Sequence, residues 1–91
     1  MQLFWTNKAS SDLVRLYDFL ALINQPAAAS IMQALTNAPI QLLQHPYFGQ
    51  KVEGFGERDV RRILVNHYEL RYEIDKTSIY ILRIWHTREN R

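Results

Sequence analysis

Apolar residues follow two successive rhythms along this 91-residue chain. After a short β-type run, LFWTN at residues 3–7, the segment ASSDLVRLYDFLALIN (residues 9–24) takes up helical spacing. Leu13, Leu16, Tyr17, Leu20 and Ile23 fall at steps of three or four, with Asp12, Arg15 and Asp18 off that stripe. Ser10 and Ser11 read as the cap or first turn of this helix. Asn24-Gln25-Pro26 is a break and restart: Pro26 suits a helical first turn, where its missing N–H costs nothing. A second helix over residues 26–44 follows, rich in alanines that favour helix and permit close packing on the first. Pro39 predicts a bend or short interruption near residues 37–39. The two helices are expected to form an antiparallel hairpin with a very short connection.

Beyond His45-Pro46 the rhythm changes. All three glycines lie within eight positions, at 49, 54 and 56, so residues 46–56 are expected to be the one substantial loop. DVRRILV (59–65), YELRYEI (68–74) and SIYILRIWH (78–86) then read as three strands joined by tight turns. The middle one alternates strictly, with Tyr68, Leu70, Tyr72 and Ile74 on one face and Glu69, Arg71 and Glu73 on the other. In the last, the same alternation sets Tyr80, Leu82 and Ile84 against the helices and leaves Ile79, Ile81, Arg83 and Trp85 on the second face. Two covers for that second face are open: a partner, or the chain's own loop carrying Tyr47, Phe48 and Phe55. The predicted architecture is one α+β domain over residues 1–91. An N-terminal short strand and a two-helix antiparallel hairpin pack on a C-terminal three-stranded antiparallel sheet.

Composition narrows the class. With 47% hydrophobic and 22% charged residues the chain is neither disordered nor fibrous. Its net charge of +2 is too small for a general nucleic-acid binder. The excess is local, however. Residues 57–91 hold eight Lys/Arg against six Asp/Glu, and seven of the eight are arginine, the cation suited to bidentate carboxylate or phosphate contacts. Without cysteine there is no disulfide framework and no thiol chemistry. The N-terminus lacks the basic-then-apolar layout of a signal peptide, and no apolar run approaches a membrane span, so a cytoplasmic protein is expected.

Candidate chemistry concentrates at the end, in ILRIWHTRENR. His86 could serve as acid or base, with Arg83 and Arg61 steadying a developing negative charge, but a second titratable group is hard to name. A strand-end histidine bonded to the backbone is the simpler reading. His45, His67 and His86 have no metal-ligand spacing and the glycines no phosphate-loop spacing, so no metal and no cofactor are expected. Ile79, Ile81, Arg83 and Trp85, with Arg58, Arg62, Arg71 and Arg88, form the candidate partner-binding set, a composition typical of interface anchors. The arginines of ERDVRR read either as solvated ion pairs or as a docking surface for an acidic segment.

Taken in order, FWTNKASSDLVRLYDFLA, PAAASIMQAL, LLQHPYFGQKVEG, ERDVRRILVNHYELRYEI and IYILRIWHTRENR resemble the ParE side of the RelE/ParE superfamily of bacterial toxins. The HPYFG segment and the terminal I-L-R-x-W-H-x-R pattern carry most of that likeness. The resemblance implies a helical hairpin on an antiparallel sheet. It implies the toxin of a two-component, plasmid-stabilising toxin–antitoxin module that inhibits DNA gyrase and is neutralised by a cognate antitoxin folding along its helices and sheet. It implies no nuclease centre and no direct sequence-specific nucleic-acid binding. Two alternatives stay open: the ribosome-dependent mRNA cleavage of RelE-like members, for which His86 lies near a terminal catalytic position, and a non-toxic scaffold that only binds its antitoxin.

Overall fold

The computed structural model describes residues 1–89 of the chain. Strand β1 (Gln2–Trp5) leads into helices α1 (Asn7–Ile23) and α2 (Gln25–Leu42); then come β2 (Gln50–Lys51), β3 (Asp59–Val65), β4 (Tyr68–Asp75) and β5 (Ser78–His86). The fold is α+β, with the two helices on one side of a five-stranded mixed sheet ordered β1-β5-β4-β3-β2. The expected meander is β3-β4-β5; β1 adds parallel to β5 at one edge and the two-residue β2 antiparallel to β3 at the other.

Local chemistry sets the helix boundaries. Thr6 caps α1, its Oγ1 accepting the Ala9 N–H at 3.2 Å, so the expected Ser10-Ser11 start falls one turn late. Asn24 alone joins the helices: its N–H donates to the Leu20 carbonyl, closing α1, and its Oδ1 accepts the Ala27 N–H, opening α2. No interruption occurs at Pro39. The helix runs through it to Leu42 at the cost of the hydrogen bond its ring denies the Leu35 carbonyl, and Pro39 is buried. Packing outweighs that loss.

The core lies between the hairpin and the sheet. Ala9, Leu16, Leu35 and Leu42 meet Tyr68, Leu70, Tyr72 and Ile74 of β4 and Ile79, Ile81 and Ile84 of β5. The alternation of β4 is as expected, but that of β5 is not. Ile81 pairs with Tyr72 and Arg83 with Arg71, leaving Leu82 as an extra residue in a β-bulge. The bulge inverts the alternation. Ile79 and Ile81 are therefore fully buried under the helices, not exposed for a partner, and Ile84 rejoins them only because one residue was inserted. Arg83 and Trp85 keep their predicted place on the open face.

Candidate partner-binding surfaces

Register brings the arginines of the open face together. Arg62 of β3, Arg71 of β4 and Arg83 of β5 stand side by side across the sheet. Like charges directly opposite destabilise a sheet, so counter-charges are needed. Glu69, only 2% exposed, accepts from Arg71 Nη2 at 2.8 Å and Arg62 Nη1 at 3.3 Å. Among the described residues, Arg71 Nε is buried with no hydrogen-bond partner. Both the Arg71 and Arg83 guanidiniums lie over Trp85, 4.9 and 5.0 Å from its ring centre. Toward the other end of this face Phe4 stacks on Tyr80 at 5.4 Å, and Arg58 grips Glu73 through bonds of 3.0 and 2.7 Å while covering Phe55. The open face is thus a lattice of guanidinium, carboxylate and aromatic groups.

Arg83 also reaches the helices. Its Nε and Nη2 donate to Asp12 of α1 at 2.8 and 3.2 Å, and Asp12 accepts the Ile84 N–H at 2.9 Å and Arg15 Nη2 at 3.3 Å. The reason is topological. Pairing with β1 ends at Ile81, so beyond it the edge of β5 would be bare; Thr6, Asp12 and Arg15 of the hairpin satisfy its backbone instead. Burial pushes the Asp12 carboxyl up, but Arg83, the Ile84 N–H and Arg15 outweigh it and hold the pKa below the ordinary aspartate value. Arg15 continues the chain of charges to Glu89 at 2.8 Å.

His86 sits at the end of β5 with its ring edge-on to Tyr68, 5.1 Å between centres, and its Nδ1 accepts the Arg88 N–H at 3.1 Å. It is a strand-end histidine bonded to the backbone, its ring nitrogen accepting from a main-chain N–H. Arg61 does not converge on it: Arg61 pairs across Tyr72 with Ile81, five residues back along β5, and binds Asp59 and the carbonyls of Tyr47 and Gly49. His86, Arg83 and Arg61 therefore form no single cluster. Arg88 is exposed, and with Arg15, Phe19, Leu20, Tyr68 and His86 it lines a groove of about 440 Å³ beside α1. Arg91 lies outside the described residues.

The loop of residues 46–56 divides between the two sides of the sheet. Tyr72 Oη, under the helices, donates to the Pro46 carbonyl at 2.7 Å and accepts the Gly49 N–H at 2.9 Å. Gly49 is required there, because a Cβ would lie 2.6 Å from Tyr72 Oη and 2.8 Å from the Arg62 carbonyl. The lock leaves Tyr47 and Phe48 exposed, so neither covers Arg83 or Trp85, while Phe55 covers the β3 end of the open face under Arg58. Beside this loop a second groove, about 470 Å³, runs between α2 and the end of β3; Ala34, Ala38, Leu42, Phe48, Ile63 and Val65 contribute to its lining.

Sequence reasoning missed Asp12, Glu69 and the Tyr72–Gly49 lock. Asp12 was legible: with Ala9 and Leu16 it falls at steps of three and four, on the buried side of α1. Glu69 carried no such signal, since its burial on a polar alternating face comes from cross-strand neighbours, Leu64 and Trp85 in register and Arg62 and Arg71 through hydrogen bonds. Among the described residues no group of three or more His, Asp or Glu is placed to hold a metal ion, and no helix is long and apolar enough to cross a membrane.

Comparison with known proteins agrees in sequence and in shape. A family described as ParE toxin of type II toxin-antitoxin system, parDE, matches residues 3–91. A solved structure described as the chromosomal ParDE TA system from P. aeruginosa is 27% identical, covering 94% of this chain and 95% of that one at a TM-score of 0.78. No curated protein matches the sequence.

Proposed function

Because this chain belongs to the ParE toxin family of type II toxin–antitoxin systems, we propose that it inhibits DNA gyrase and is neutralised by a cognate antitoxin. The observation that carries the reading is the match over residues 3–91, joined to an open face where two guanidiniums lie over an indole. The open-face residues Arg58, Arg62, Arg71, Arg83 and Trp85, with Arg88 at the end of β5, are the partner-binding residues in this reading. Guanidiniums beside an indole are the usual anchors of protein interfaces, and a folding-upon-binding antitoxin suits such a surface.

One observation favours a second reading, ribosome-dependent mRNA cleavage. His86, Tyr68, Arg88 and Arg15 line one groove, a set able to hold a phosphodiester beside an acid or base. Paired assays separate the two. Purified toxin should block supercoiling by gyrase in vitro and leave cell-free translation running. Arrested translation with intact supercoiling reverses the assignment, and His86→Gln should then abolish toxicity in a folded chain.

A further inference from the structure

We infer that the outer edge of β1 pairs antiparallel with β1 of a second copy of this chain, joining the two sheets about a two-fold axis at Phe4. The inference stands apart from the gyrase and antitoxin reading and concerns the sheet edge opposite β2. Backbone direction is the first argument. The Gln2 and Thr6 N–H groups donate to the Thr77 and Ile81 carbonyls at 2.9 and 3.1 Å, so the even-numbered residues of β1 turn their backbone groups toward β5. Alternation turns Leu3 and Trp5 the other way. Because β1 ends the sheet, their N–H and C=O groups face no strand among the described residues. Edge strands are ordinarily blunted by charge, proline, a bulge or a cover. Gln2–Trp5 carries neither charge nor proline, and Phe4 at its middle is 43% exposed.

The strand is complementary to itself about Phe4. In a two-fold pairing Leu3 of each copy exchanges both main-chain bonds with Trp5 of the other. Phe4 then meets Phe4 at the non-bonded position between them, where side chains approach closest. Each face finds its own kind. On the helix side Leu3 and Trp5, half-buried against the core, extend that core across the join. On the open face the Phe4–Tyr80 stack at 5.4 Å continues into its symmetry mate as one row of aromatic rings. The helices leave room. Thr6, Asp12 and Arg15 bind β5 from Ile81 onward, so α1 follows on past the end of β1. The axis stands perpendicular to the sheet, and both open faces therefore look the same way. A four-residue edge makes a small contact, of the class that associates weakly.

The test uses the full-length chain alone, read by sedimentation and by amide hydrogen exchange. Monomer should pass to dimer as concentration rises, with exchange at the Leu3 and Trp5 N–H groups slowing in step. Phe4→Lys sets two ammonium groups against each other on the axis and should raise the dissociation constant about tenfold or more. The chain has no cysteine, so a single introduced thiol reports one contact. Phe4→Cys should form a covalent dimer under mild oxidation, because a non-bonded antiparallel pair lies within disulfide reach. Val14→Cys, at a more exposed position on α1, should stay monomeric. A wild-type chain that remains monomeric up to ~1 mM overturns the proposal whatever the variants do. So does a dimer in which Leu3 and Trp5 exchange as they do in the monomer. Equal cross-linking at positions 4 and 14, or a folded Phe4→Lys chain that dimerises as tightly as wild type, overturns it too.

Discussion

Asp12 joins the hairpin to the sheet through one carboxylate. It takes two bonds from Arg83, one from Arg15 and one from the Ile84 backbone, while lying 4% exposed. Asp12→Asn keeps the shape and loses the charge, and should cost about 2 kcal/mol at neutral pH. The pH dependence follows from the lowered folded-state pKa. Charged Asp12 contributes its stability fully above the unfolded aspartate value of ~3.9 and loses it as pH falls through the lower folded value. The gap in unfolding free energy between wild type and Asp12→Asn should therefore narrow as urea titrations are repeated below pH ~4. A gap constant down to pH 2 would mean that packing, not charge, sets the effect. Tyr72 and Gly49 form the other single-residue dependence. Tyr72→Phe strands the Gly49 N–H and the Pro46 carbonyl and should cost about 1–3 kcal/mol. Gly49→Ala should cost at least as much, because its Cβ meets the Arg62 backbone as well as a side chain. Chemical denaturation of the two variants checks both values.

Between residues and the whole stand the elements, and here legibility in the sequence divides cleanly. Period alone located β3, β4 and β5, and the Asn24-Gln25-Pro26 break located the hairpin, because each signal is repeated over several residues. Strand β2 was not legible, since two residues carry no period and its pairing depends on where the Tyr72 lock puts the loop. Nor was the bulge at Leu82. It is one extra residue in an otherwise regular strand, and its reason lies in α1: Asp12 and Arg83 must meet while Ile84 turns inward. That single residue moved Ile79 and Ile81 from the proposed interface into the core and left Arg83 and Trp85 outside. An alternation pattern cannot reveal such an insertion, because both phases of β5 are apolar along most of its length.

At the scale of the molecule, the two sides of the sheet have different chemistry. The helix side holds the apolar core and two grooves, one of them edged by Arg15, His86, Arg88 and Glu89; the open side holds charge and aromatic rings, with Leu64 exposed beside them. Partners that use both sides would need segments of different composition, which suits a chain that folds as it binds. If the open side anchors the antitoxin, Trp85→Ala should weaken the complex by about 2 kcal/mol or more in calorimetric titration, with the unfolding midpoint of the free toxin barely moved. Unaltered affinity would take the open face out of that interface.

The indole at position 85 lies within about 5 Å of two fixed positive charges, whereas the chain's other indole, Trp5, packs against the apolar core. Excited-state energies of indole respond to nearby charge, so the two rings should emit differently. Any ligand that draws Arg71 or Arg83 aside would alter one emission band and spare the other. The protein thus carries its own optical gauge of occupancy, usable without a label.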